Sequence, residues 1–182
     1  MTLNLPPKLE NELVLIRPLK EQDFEVLYSV AKDPLIWEQH PSKDRYKKSK
    51  FVSFFNDSIE SKGALIIIDK SNKEVIGSSR YKKLDVDETA VEIGWSFLAR
   101  KYWGGKYNRA VKILMIDYAF KIYNEIIFYV SNTNIRSKKA IEKIGGMQIF
   151  DSKYKSLSIN NDLIYRINKP KWELITKEHI DI

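Results

Sequence analysis

Residues 89–144 switch between two kinds of run, and that alternation restricts the fold more than any other feature of the chain. TAVEIGWSFL (residues 89–98) reads as a strand, residues 106–123 as a long helix, EIIFYVS (residues 125–131) as a buried strand, and residues 134–144 as a helix stopped by Gly145-Gly146. A strand that returns through a helix to its neighbour runs parallel to it, with a right-handed crossover. Upstream, turns rich in Asn, Asp, Ser and Lys join ALIIID (residues 64–69), EVIGSSRYKKL (residues 74–84) and residues 89–98 into an antiparallel meander. Before it come a short strand at residues 13–17 and helices at residues 21–32 and 46–60, with a polar loop at residues 37–45 between the helices. Short strands near residues 147–150 and 163–167 complete the order β-α-α-β-β-β-α-β-α-β-β. The expected class is α/β (mixed α+β), a single domain over residues 1–182 with a central mixed, mostly antiparallel twisted sheet flanked by helices.

The longer helix carries Val111, Leu114, Met115, Tyr118 and Ile122 at the spacing of a buried stripe. Its beginning is anomalous. A helix dipole favours acids in the first turn, yet Arg100, Lys101, Lys106, Arg109 and Lys112 crowd there, and no acid occurs between Glu92 and Asp117. The helix after Asn134 repeats the pattern. Asn134 suits an N-cap, Arg136, Lys138 and Lys139 follow, and no acid occurs between Glu125 and Glu142. Each exposed cation opposes the dipole by ~0.3–1 kcal/mol, whereas a bound anion would reverse the sign. Gly104-Gly105 would let backbone amides approach a phosphate. A tight loop followed by a wet lysine face is the plain alternative at either terminus. Two such termini at one sheet edge favour a polyphosphate. Neither G-x-G-x-x-G nor a P-loop is present, since Lys106 is followed by Tyr107 and not Ser or Thr.

Composition narrows the chemistry. With no cysteine, a thiolate nucleophile, thiolate metal site or disulfide is excluded, and with only His40 and His179 no metal centre is expected. No apolar run approaches the ~18 residues of a membrane span, and the N-terminus lacks a signal-peptide core, so a cytoplasmic protein without a membrane partner is expected. Lys plus Arg number 31 against 24 acids, a formal charge of +7. That charge and ten tyrosines would suit a nucleic-acid-binding module, but no DNA- or RNA-reading motif accompanies them, and no nucleic-acid partner is expected.

VEIGWSFLARKYWGGKYNRAVKILMIDYAF followed by NTNIRSKKAIEKIGGM resembles the GNAT superfamily of acyl-CoA-dependent N-acetyltransferases, most closely the ribosomal-protein N-terminal acetyltransferase branch. The likeness runs over residues 13–167. It implies acetyl-CoA as cosubstrate, with Lys101-Tyr102-Trp103-Gly104-Gly105-Lys106 in place of the Gln/Arg-x-x-Gly-x-Gly/Ala loop that wraps the CoA pyrophosphate. The implied cofactor contacts are Phe97, Leu98, Lys101, Gly104, Gly105, Lys106, Tyr107, Asn134 and Ser137. Departures from the pattern are Lys101, Lys106, Ala110, Ile141 where many relatives carry a Tyr acid, and Gly146 where a Phe is usual.

Acetyl transfer to an amine needs a base, donors for the thioester oxygen and a route out for the thiolate. Glu92, in an otherwise apolar strand, is the candidate base; a paired structural carboxylate is its plain alternative. The Leu98 amide is the oxygen donor by analogy, and Tyr129 or Ser131 stand as candidates for the acid. His40 reads as a lone surface histidine, and Tyr46-Lys47-Lys48-Ser49-Lys50 as a solvated helix start. Expected partners are an amine acceptor, a peptide N-terminus or a small molecule, and a second copy of the chain pairing through an exposed final strand into a homodimer. A catalytically silent CoA-binding sensor is the alternative to an enzyme.

Overall fold

The computed structural model describes residues 8–158 and 162–178. Its elements in chain order are β1 (Leu9–Glu10), β2 (Val14–Pro18), α1 (Phe24–Ala31), α2 (Lys48–Glu60), β3 (Ala64–Asp69), β4 (Val75–Leu84), β5 (Asp87–Leu98), α3 (Lys106–Ala119), β6 (Glu125–Val130), α4 (Ile135–Glu142), β7 (Met147–Ile149), α5 (Ser152–Lys155), β8 (Leu163–Asn168) and α6 (Lys169–Glu178). Among the described residues the strands form one eight-stranded sheet in the order β1-β2-β3-β4-β5-β6-β8-β7. Its β5–β6 pair is parallel, as the strand-helix-strand run demands, and its other pairs are antiparallel. This is the mixed α/β architecture expected from the sequence.

Alternating strand positions divide the core into two faces. On one, Val14, Ile16, Val91, Ile93, Ile126 and Phe128 pack against Val111, Met115 and Ile116 of α3 and Ile141 of α4. On the other, Ile66 and Phe97 meet an aromatic layer from α1, α2 and the segment between them, including Trp37, Phe51, Phe54 and Phe55. A smaller cluster on that second face puts Tyr154 of α5 against Ala90, Ile127 and Ile164.

Three expectations change. The long helix ends at Ala119, where the Lys121 and Ile122 amides shift to carbonyls three residues back, those of Tyr118 and Ala119, in the turn that feeds β6. Ile122 is consequently exposed and leaves the buried stripe, while Lys112 and Ile116 join it. The last strand, β8, is no exposed edge either. It lies between β6 and β7, antiparallel to both, so pairing through it across a dimer is not available. β1, α5 and α6 were not anticipated. α6 docks on α3, where the Trp172 indole donates to Asp117 at 2.6 Å.

The tightest backbone approach in the sheet is at Gly77 of β4. A Cβ there would lie 2.0 Å from the Phe97 carbonyl oxygen and 3.0 Å from Leu98 Cα, both backbone atoms of β5. Gly77→Ala should therefore force the two strands apart and cost about 1–3 kcal/mol, read as a lower urea midpoint with an unchanged slope. Wild-type stability in that variant would mean the strands separate without cost.

Candidate active site

Parallel pairing between β5 and β6 lasts three residues, Ala90–Glu125, Val91–Ile126 and Glu92–Ile127. Beyond it β5 continues against β4 and β6 against β8, and the two strands part. A bulge accompanies the parting. Arg80 opposes Gly94 and Ser78 opposes Phe97, so Trp95 and Ser96 together face Ser79, with Trp95 at φ 52°. A bulge bends its strand and raises its twist, which here swings the end of β5 away from β6. Past it, the Ala99 amide bonds to the Ile76 carbonyl across the pair Gly77–Leu98. In an antiparallel ladder the groups of such a pair turn away from each other. The Leu98 amide and carbonyl therefore face the opening. The carbonyl already accepts from the Trp103 indole at 2.8 Å.

Glu92 occupies the last paired position, so its side chain sits at the apex of the opening on the α1/α2 face. It is 7% exposed, and burial raises its carboxyl to about 7 against the opposing pull of Lys82 and Arg80. Gly94 leaves it room: a Cβ there would stand 3.1 Å from Glu92 Oε1. Tyr129 is on the neighbouring strand. Its hydroxyl donates to the Tyr154 carbonyl at 3.0 Å, and burial followed by the Glu92 charge pushes it up to about 12. Ser131 pairs with Thr133.

The α3/α4 face holds a group that the sequence reading counted among the cations awaiting an anion at the start of α3. Lys112 is buried in the α3 stripe, and its ammonium donates to Ser96 Oγ at 2.6 Å, with Ser79 Oγ at 3.5 Å and the Phe128 ring centroid at 5.8 Å. Ser79 and Ser96 are themselves 2.7 Å apart. Among the described residues no carboxylate forms an ion pair with Lys112, and burial lowers it to about 7. Ser96 is exposed, so it connects this ammonium to the opening. The spacing contained the signal: Lys112 lies three residues before Met115 and four before Ile116.

At the end of β5 the chain turns through residues 100–105 into α3. Gly104 has φ 70°, the space around both glycines is open, and Gly105 gives α3 no side-chain cap. The orphan amides of its first turn are thus left to an outside acceptor. Lys106 is exposed, Lys101 pairs with Glu74, and the Tyr102 and Tyr107 hydroxyls both donate to Asp69, at 3.0 and 3.3 Å. The α4 terminus differs. Asn134 accepts from the Ser137 amide at 3.1 Å, and Gln39 accepts from the Arg136 amide at 3.1 Å. The Arg136 guanidinium stacks 3.8 Å over the Trp103 ring, joining α4 to the loop before α3. Phe97 turns its ring into the aromatic layer against Trp37 and its carbonyl toward Gly77 of β4, so of Phe97 and Leu98 only Leu98 presents its backbone to the opening, contrary to the expected Phe97 contact.

Residues 14–147 match the family described as the acetyltransferase (GNAT) domain. The chain is a GNAT-family acetyltransferase. An uncharacterized N-acetyltransferase, p20, of Bacillus licheniformis is 28% identical over 121 residues, covering 64% of this chain and 67% of that protein. A GNAT-family acetyltransferase of Bacillus anthracis superposes with a TM-score of 0.71 at 21% identity, over 88% of this chain and 98% of that one. The spermidine N-acetyltransferase of Vibrio cholerae, solved with CoA and spermine, gives 0.64 at 16% identity, over 89% and 99%.

Two departures of this acetyltransferase from the family pattern are physically linked. Ile141, where the resemblance leads one to expect a tyrosine, is buried, and a Cβ at Gly146 would lie 2.3 Å from its Cγ2. The isoleucine needs the glycine. His40 is not the lone surface histidine expected. It is half-buried, accepts from the Ser42 amide at 2.9 Å, meets Arg45 at 3.3 Å, and is lowered to about 4 by burial and then the charges of Arg45 and Arg136.

Because Glu92 is raised when folded, its stabilising contribution is complete below the unfolded value of 4.5 and disappears as pH rises through about 7. At 1.36 kcal/mol per unit, this one group should cost roughly 3 kcal/mol of stability across that window. Glu92→Gln should flatten the decline in urea-melt stability between these limits. Parallel wild-type and variant curves would place the carboxyl in water.

Proposed function

We propose that this acetyltransferase moves acetyl from acetyl-CoA directly to a primary amine, on a peptide N-terminus or a small molecule. The observation that carries the reading is the β5–β6 opening, with a buried carboxyl on one face and a buried ammonium on the other. Burial brings each group near neutral pH, where a positioned base and a positioned acid work best. The resemblance to the ribosomal-protein branch supports the peptide N-terminus, and the CoA held by the Vibrio cholerae neighbour supports the cosubstrate.

Acetyl-CoA would supply an acyl group activated as a thioester. The uncapped amides at the start of α3, with Gly104, Gly105, Lys106 and Tyr107 around them, fit its pyrophosphate. Lys101, Asn134 and Ser137 flank the same mouth, and the outward backbone of Leu98 fits the pantetheine arm. Glu92 takes the proton of the attacking amine, directly or through a water, since an α-amino group at ~8 or a lysine at ~10.4 is otherwise charged at neutral pH. The Leu98 amide donates to the acyl oxygen as charge grows there. Lys112, through the Ser96 hydroxyl, gives a proton to the departing thiolate. One C–N bond forms and one C–S bond breaks; of the two protons an ammonium loses in becoming an amide, Glu92 passes the first to solvent, and the second, lost as the C–N bond forms, is matched by the one Lys112 gives to the thiolate. With no cysteine in the chain, a thiol relay is excluded.

Calorimetry should give saturable binding of acetyl-CoA, with ATP much weaker. Glu92→Gln should keep that affinity and lose about 10²–10⁴ in turnover, the usual worth of a positioned base. Undiminished turnover would remove Glu92 from the chemistry; cofactor binding without any turnover in the wild type would favour the sensor.

Lys112→Met makes a second test. Lys112 is lowered from 10.5 to about 7 when folded, so its contribution is lost as pH falls toward 7. The variant should gain stability at pH 7 and yet lose kcat. The wild-type kcat should rise with ionisation of Glu92 and fall as Lys112 loses its proton, both near 7. In Lys112→Met the high-pH fall should vanish. A retained fall would assign the acid elsewhere.

A further inference from the structure

The Glu92 face carries a cluster of cations that the transfer chemistry does not use. Arg80 of β4 is 6% exposed, donates to Ser58 of α2, and lies over the Trp95 ring at 4.6 Å and the Phe54 ring at 5.6 Å. Its Nε is buried without a hydrogen-bond partner. Arg45, from the segment between α1 and α2, lies 4.5 Å over the same Phe54 ring and 5.0 Å over Trp37. His40, held neutral, fills the gap between Arg45 and Arg136. Among the described residues none of the three arginines forms an ion pair with a carboxylate. The acids that face the cluster, Glu38, Asp44, Asp57 and Glu92, act on it only at longer range.

Arg80 is buried and Arg45 and Arg136 are half-buried; like charges held close without counter-ions repel one another and have lost part of their hydration, a balance that a bound anion would relieve. Burial and the neighbouring guanidinium lower Arg45 to about 10, and burial lowers Arg80 to about 10. The position of the cluster selects which anion. Arg80 opposes Gly94 and Lys82 opposes Glu92 across the β4–β5 ladder, so Arg80 and Glu92 are diagonal neighbours on one face. Diagonal positions are ~7–8 Å apart, a gap that an amine and a carboxylate separated by a few bonds can span. Planar guanidiniums held against aromatic rings match a carboxylate's two oxygens.

We infer that the acceptor is an amine that also bears a carboxylate, docked on Arg80 and Arg45 with its nitrogen toward Glu92. This rests on the acetyl-transfer reading and gives its substrate a chemical class. A polyamine is the opposite class, since its further ammonium groups would meet the arginines.

The test measures CoA release with matched amines: glutamate and aspartate, the same amino acids with both carboxyls amidated, short peptides beginning with Asp or Glu, and spermidine. The carboxylate forms should exceed their amides in kcat/KM by tenfold or more, with spermidine lowest. Rates for free amino acids against peptides decide which of these two sources supplies the carboxylate. Arg45→Gln should collapse the carboxylate-to-amide ratio at least tenfold, and because Arg80 is buried, Arg80→Met is read only after its melting curve matches the wild type. In parallel, N-acetylglutamate, which has no free amine, is titrated by calorimetry in the presence of CoA, and its binding should weaken at least tenfold in Arg45→Gln. Amides or spermidine turned over as well as carboxylates would overturn the inference and leave acetyl transfer standing. Arginine-dependent binding without CoA release from any amine would overturn acetyl transfer, and the acceptor class with it, and leave only the anion site. Failure of both N-acetylglutamate binding and carboxylate preference would overturn the anion site.

Discussion

A strand has two hydrogen-bonding edges, and β5 changes what one of them serves at Glu92. For three residues that edge holds β6; beyond them it holds nothing from the sheet, because the Trp95-Ser96 bulge has turned the strand aside. The rest of the site follows from this change. The apex places Glu92 at the last paired position, the free edge presents the Leu98 amide, and the bulge turns Ser96 toward α3. Gly77 belongs to the same constraint. Only a residue without a Cβ lets β4 close tightly enough on Phe97 and Leu98 to hold β5 from its other edge once β6 has left.

Burial sets the electrostatics. Glu92 and Lys112 lie on opposite faces of one opening, and desolvation drives a carboxyl upward and an ammonium downward until both titrate near pH 7. The helix termini and the arginine cluster are a second effect of unpaired charge. α3 begins with uncapped amides and basic residues, and among the described residues Arg45 and Arg80 stand on aromatic rings without a carboxylate ion pair. The free protein thus has two places short of negative charge, one at the mouth of the opening and one beyond its apex. They correspond to the two ends at which reactants would enter.

Periodicity made much of this legible. The β3 bounds, the β5–β6 parallel pair and the start of α3 follow from runs of apolar residues and from turn chemistry, which act within a few residues. The end of α3 did not, because Phe120 and Tyr123 remain buried after the helix stops and imitate its stripe. The insertion of β8 between β6 and β7 was also hidden, since pairing partners distant in sequence leave no local mark. At the site, Glu92 was visible as a charge in an apolar strand. Arg80 was not, because in SSRYKK it sits among residues that look like a wet edge until α2 covers it. His40 was misread for the same reason: its burial comes from Trp37, Arg45 and Arg136, none of which a local pattern connects to it.

The placement of Lys112 and Ile141 bears on how the thiolate leaves. Ile141 fills its α4 position with an apolar side chain, and its packing against Gly146 leaves no room for a larger group beside it. The α3/α4 face therefore lacks a hydroxyl at that position. It gains an ammonium from α3 instead, joined to the opening by Ser96. A purely structural role is a poor account of that lysine. A methionine would fill the same space without losing the hydration of a charge, and removing an uncompensated buried charge in favour of an apolar group is commonly neutral or stabilising. The two serines that receive the ammonium do not neutralise it, so the stability cost persists in the folded protein. Such a cost is intelligible when the proton is what the site uses, as the proposed transfer to the departing thiolate would require.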